Sequence, residues 1–144
     1  MNREYNAIIL NEPYANYVKQ GKKIIETRMR RLSKLYGDIV ICCDKGKSKG
    51  WKNYGKAICI VNVMGARPME DRDAEAACIE NAPGRYAYPL QNLRHFSYDF
   101  NFTDYVVLEP GKKNANWQGV FKIRIPDFVE IIPFVEQNQA ESTL

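Results

Sequence analysis

Three side chains able to do chemistry together fall close in sequence at Lys23, Glu26 and Arg28. The ammonium and guanidinium offer charge and planar donors. The carboxylate is an acceptor that can read an amino group on a base edge, such as that of cytosine. The same set suits hydrolysis, with Glu26 activating water while Lys23 polarises a carbonyl. A plain exposed Glu–Arg pair at this spacing contributes only about 0–1 kcal/mol. The elements that position these residues therefore decide what they can do.

Pro13 fixes φ for a first helical turn, so a helix is expected to open there, with Tyr14, Tyr17 and Val18 on one apolar face. Gly21 supplies the left-handed residue that ends it. The period then changes to two, which sends Ile24, Glu26 and Arg28 one way and Ile25 and Thr27 the other. Lys22 and Lys23 are expected at the mouth of this helix–strand corner, and Tyr14 with Tyr86 or Tyr88 as a stacking wall.

The net charge of +4 hides an asymmetry. From Lys19 to Lys56 there are twelve basic residues against Glu26, Asp38 and Asp44, a balance of 12 − 3 = +9; from Ala57 onward eight basic face twelve acidic, or −4. One basic face on an acidic body suits a polyanion. A solvated lysine-rich loop is the bland explanation. The stretch 44–56 concentrates the pattern, with Lys45, Lys47 and Lys49 alternating and Trp51 and Tyr54 interleaved. Lysines suit phosphates, and an indole can stack on a base for about 1–3 kcal/mol; alternatively Trp51 folds back onto the core. Gly46-Lys47-Ser48 is half a P-loop, since Ile41 stands where that motif needs glycine.

A chain of 144 residues, 45% hydrophobic and 26% charged, fits one ordinary domain. No apolar run approaches the roughly 20 residues of a membrane span, and no secretory h-region follows the first residues. The chain reads as cytoplasmic. Cys42, Cys43, Cys59 and Cys78 form no C-x-x-C, and His95 is the only histidine, so neither a metal nor a cofactor is expected.

Strands are expected at 5–10, 39–43, 57–64, 86–93, 117–125 and 128–135, with Val106–Leu108 as a short further one. Phe121, Ile123 and Ile125 should face in, and Pro89 should mark an edge or bulge. Met69–Glu80 reads as an acidic amphipathic helix with Asp73 and Glu75 wet. One domain over 1–136 is expected, with a disordered polar tail at 137–144. The pattern is α+β with a closed or strongly curved sheet.

The run Gly21-Lys-Lys-Ile-Ile-Glu-Thr-Arg28 resembles the G-x-K-x-x-E-x-R signature of ASCH domains, members of the PUA-like superfamily. Tyr36-Gly37-Asp38-Ile39, Gly84-Arg85-Tyr86-Ala87-Tyr88 and Gly119-Val120-Phe121 resemble later motifs in the family's order. The resemblance implies a small PUA-like β-barrel of about five to seven strands with two or three short helices. It also implies a cleft for RNA or a modified nucleotide at the helix–strand corner. Tyr14, Lys22, Lys23, Glu26, Arg28, Arg85 and Tyr86 are the expected cleft residues, and Lys45, Lys47, Lys49 and Trp51 the expected outer contacts.

Some small ASCH proteins are acetylcytidine amidohydrolases, whose pattern has a lysine near the motif glycine, a nucleophilic threonine three residues later and a downstream glutamate. Lys23 matches the lysine, but Glu26 occupies the threonine's place, and Thr27 is on the opposite face. Glu75, or else Glu80, is the counterpart of the glutamate. An enzyme would thus rest on Lys23, Glu26 and Glu75. A metal-free ribonuclease, also proposed for relatives, would need an acid–base pair that a single histidine does not provide. Binding is the preferred expectation, and the oligomeric state is open.

Overall fold

The computed structural model describes residues 3–80 and 82–135; the expected tail at 137–144 lies outside them. The strands are β1 (Glu4–Leu10), β2 (Ile25–Arg28), β3 (Gly37–Cys43), β4 (Lys56–Val63), β5 (Arg67–Pro68), β6 (Tyr86–Asn101), β7 (Val106–Val107), β8 (Phe121–Arg124) and β9 (Ile131–Pro133). The helices are α1 (Tyr14–Lys19) and α2 (Asp73–Ala77). All nine strands join one mixed sheet in the order β2-β6-β4-β3-β1-β8-β7, with β5 and β9 also on β6. Among the described residues only β1 and β3 pair in parallel. The class is α+β as expected, but the strands number nine, and their pairing traces an open path rather than a closed ring.

Period-two alternation fills both faces of the central strands. Ile39, Ile41 and Cys43 join Ile8 and Leu10 in one core cluster, while Val40 and Cys42 join Ala7, Phe121 and Ile123 in another. Register shifts against β6 break the alternation of β4, so Ile58 and Cys59 share a cluster. Burial pushes the Cys43 thiol up to about 11 and raises those of Cys42 and Cys59 as well, which keeps them protonated.

Helix α1 buries Val18 of the expected face, together with Ala15 instead of the two tyrosines. Tyr14 and Tyr17 stay half-buried, with ring centroids 6.4 Å apart edge to face. Gly21, at φ +80°, ends the helix as a Schellman cap. Its N–H bonds the Val18 carbonyl at 3.0 Å, and the Lys22 N–H bonds that of Tyr17 at 2.9 Å.

Four further expectations need correction. The acidic helix spans only Asp73–Ala77, because Cys78 turns left-handed at φ 58°. Asp73 is buried rather than wet: its carboxylate takes two hydrogen bonds from Arg67, at 2.6 and 2.8 Å, and one from the Glu70 N–H at 2.8 Å. The Arg67 bonds hold its pKa down at about 2. Strand β6 does not stop at Leu93 but runs on to Asn101, with Pro89 where its partner changes from β2 to β4. Trp117 precedes β8 in a turn and packs edge-on to Phe121, with centroids 5.2 Å apart.

Candidate functional site

A cleft of about 480 Å³ opens at the helix–strand corner. Strand β2 supplies Lys23, just before it, with Glu26, Thr27 and Arg28; α1 supplies Tyr14; and the end of β1 supplies Ile9, Leu10 and Asn11. The segment after α2 adds Ile79, Glu80 and Ala82, and Arg85 enters just before β6.

Lys23 is only 2% exposed, so it is a buried anchor and not a cation at the mouth. Its Nζ donates to the Ala77 carbonyl at 2.6 Å, sits 3.5 Å from Glu26 Oε1, and lies 5.6 Å from the centre of the Tyr14 ring. Burial lowers its pKa, and the Glu26 carboxylate opposes that shift. Glu26 in turn accepts from Arg28 Nε at 2.8 Å. Arg28 reaches the Ile9 and Gln118 carbonyls at 3.3 and 3.4 Å. The carboxylate is therefore held between two cations, one buried and one at the surface of the cleft.

Thr27 does not stand free as a nucleophile. Its hydroxyl and carbonyl both accept from Arg85 Nη1, at 3.2 and 3.4 Å.

Tyr14, Lys23, Glu26, Arg28 and Arg85 are thus brought together. Glu80 lines the cleft, whereas Glu75 stays exposed on α2, because the left-handed turn at Cys78 redirects the chain between them. Lys22 lies outside, with its Nζ 4.1 Å from the centre of the Tyr17 ring. Tyr86 packs against the core instead of the cleft, near the Arg31 guanidinium. Tyr88 is buried, and its hydroxyl accepts from the Leu32 N–H at 2.8 Å, so it is not a stacking wall.

The basic loop lies apart from the cleft but is tied to it. Buried Ser48 accepts from the Glu12 N–H at 3.0 Å, and buried Asn53 donates to the Glu12 carboxylate at 2.9 Å. The same carboxylate takes the Asn16 N–H of α1 at 2.8 Å. Lys47 and Lys49 are exposed, Trp51 is 50% exposed, and Lys45 reaches Thr103 Oγ1 at 3.4 Å. Sequence reasoning missed Ile9, Leu10, Asn11 and the Ala77 and Gln118 carbonyls, since apolar strand ends and backbone oxygens carry no residue-type signal. Among the described residues no three His, Cys, Asp or Glu side chains gather as a metal site. No helix there is long and apolar enough to cross a membrane.

No curated protein matches the chain. The crystal structure of an ASCH protein from Zymomonas mobilis is similar, at 17% identity and TM-score 0.54, over 99% of this chain and 96% of that one. A tyrosine-to-phenylalanine variant of that protein gives 14% identity and TM-score 0.56, over 97% of each chain. A serine-to-alanine variant gives 13% and 0.51, over 99% and 96%. At such identities the likeness shows the fold alone. The family model of the ASCH domain, however, matches residues 8–127, most of the sequence. The chain belongs to the ASCH domain family.

Proposed function

We propose that this protein binds RNA or a modified nucleoside or nucleotide in the cleft at the helix–strand corner and breaks no bond in it. The observation that carries this reading is the position of Glu26, 2.8 Å from Arg28 Nε and 3.5 Å from Lys23 Nζ. A carboxylate fixed by two cations keeps lone pairs for the amino group of a base. It stands where acetylcytidine amidohydrolases of the family carry their threonine, and it lacks that residue's hydroxyl.

In this reading Tyr14 stacks on the bound base, Arg28 faces its polar edge, Arg85 contacts the same ligand from the cleft wall, and Lys23 fixes Glu26. Lys22, Lys45, Lys47, Lys49 and Trp51 serve as an outer surface for phosphates and a flanking base, as their charge and exposure allow. Tyr86 supports the cleft from the core side. The protein would act in the cytoplasm, on RNA or its nucleotides. The test is fluorescence anisotropy with short single-stranded RNA, alongside chromatography of acetylcytidine incubated with the protein. Retention at low salt with no cytidine released is expected. Release of cytidine, or no retention at any salt, overturns the proposal.

A further inference from the structure

The cleft holds three cations, Lys23, Arg28 and Arg85, and two carboxylates, Glu26 and Glu80. Lys23 and Arg28 share Glu26. Arg85 makes no salt bridge among the described residues. One side of its guanidinium is anchored, since Nη1 donates to both the Thr27 hydroxyl and the Thr27 carbonyl. Its Nε is buried and has no hydrogen-bond acceptor, the one such buried side-chain atom among the described residues. A charged donor taken from water without an acceptor is costly, and native proteins rarely leave one. Nη2 makes no hydrogen bond among the described residues and is not buried as Nε is; the anchoring fixes the guanidinium plane, so an incoming oxygen meets in Nη2 an oriented donor rather than a swinging one.

Glu26 and Arg85 offer a ligand different chemistry. Glu26 is an acceptor and suits the donor edge of a neutral base, whereas Arg85 is an uncompensated cation and suits an anionic oxygen. Resting on the nucleotide reading above, we propose that Arg85 is the phosphate seat of the cleft. The preferred ligand is then a nucleoside carrying a phosphate, either a free nucleotide or a residue within RNA, rather than a bare nucleoside. The volume of about 480 Å³ fits such a small ligand. Arginine is required over lysine here, because the three donors of an ammonium sit on one nitrogen and do not form the rigid planar fork that anchors on Thr27 with one nitrogen and faces the phosphate with another.

Isothermal titration of the wild type with the four common ribonucleosides, their 5′-monophosphates, inorganic phosphate and a short oligoribonucleotide tests this. At least one monophosphate should bind about tenfold or more tightly than its nucleoside, a ratio expected of charge-assisted bonds. In Arg85→Met, and in Arg85→Lys, the ratio should collapse towards one. The wild-type ratio is read without any variant, so it decides even if a variant fails to fold. Equal binding of nucleoside and monophosphate overturns the phosphate seat and leaves the cleft as a nucleoside site. So does equal weakening of both ligands in Arg85→Lys. Absence of binding by all nucleosides, nucleotides and RNA overturns both readings. Preference for the oligoribonucleotide over the monophosphates makes RNA the source of the phosphate, and the reverse makes it a free nucleotide.

Discussion

Lys23 Nζ lies 2.6 Å from the Ala77 carbonyl oxygen, which joins the end of α2 to the strand that carries the cleft. The carbonyl and the Glu26 carboxylate stabilise the ammonium, but burial is the larger influence and lowers its pKa below 10.5. Between the lowered folded value and 10.5, the unfolded chain binds more protons at this site than the folded one. The penalty for burying the charge is complete below that window and fades as pH rises through it. Wild-type stability minus that of Lys23→Met should therefore increase with pH up to 10.5. Urea denaturation of both proteins across alkaline pH measures it, and a difference that falls with pH would contradict the burial account.

Glu26→Gln keeps size but turns one acceptor oxygen into a donor. The fold should survive, with a stability loss of about 1–3 kcal/mol from the weakened Arg28 bond. Discrimination between ligands with and without an amino edge should disappear. Circular dichroism and competition binding separate the two effects. Unchanged discrimination would remove Glu26 from recognition.

The loop lysines should act through phosphates alone. Replacing Lys45, Lys47 and Lys49 by alanine is expected to weaken every RNA about equally. If the wild type contacts three to five phosphates, its log–log salt slope on single strands should be about −2 to −4, and the variant's should be shallower. Trp51, half exposed, should cost about 1–3 kcal/mol of affinity on change to alanine and little melting temperature. A large drop in melting temperature with affinity intact would assign Trp51 to the core.

Glu12 is the tie between that loop and α1, bonding Asn53 at 2.9 Å and the Asn16 N–H at 2.8 Å. Glu12→Ala leaves buried Asn53 short of an acceptor, at a cost of about 1–3 kcal/mol. Because Tyr14 sits on the same helix, nucleotide affinity should fall with stability. Denaturation midpoints and titration together check this; a loss of stability with affinity unchanged would uncouple loop from cleft.

The corner from Pro13 to Arg28 was legible because each of its signals is local: a proline start, a glycine stop and a change of period. The inward set Phe121, Ile123 and Ile125 was legible for the same reason. Long-range partners were not. No glycine marks the turn at Cys78, so the helix looked longer than Asp73–Ala77, and Glu75 was preferred where Glu80 lines the cleft. Lys23 looked like a surface cation because its burial comes from Ala77, far along the chain. The length of β6 was hidden by Pro89, which a strand tolerates where its hydrogen-bonded partner changes.

Strand β2 ends the sheet, and part of its outer side is already occupied. The Ile24 N–H just before it bonds the Ala76 carbonyl at 2.9 Å, and the Thr27 carbonyl takes the Arg85 guanidinium. The opposite end of the strand order, β7, is two residues long. An extended peptide seeking to add itself as another strand meets these occupied groups beside the cleft. The same two contacts that shape the cleft wall thus shorten the free edge of the sheet, which disfavours strand addition and chain-to-chain aggregation there.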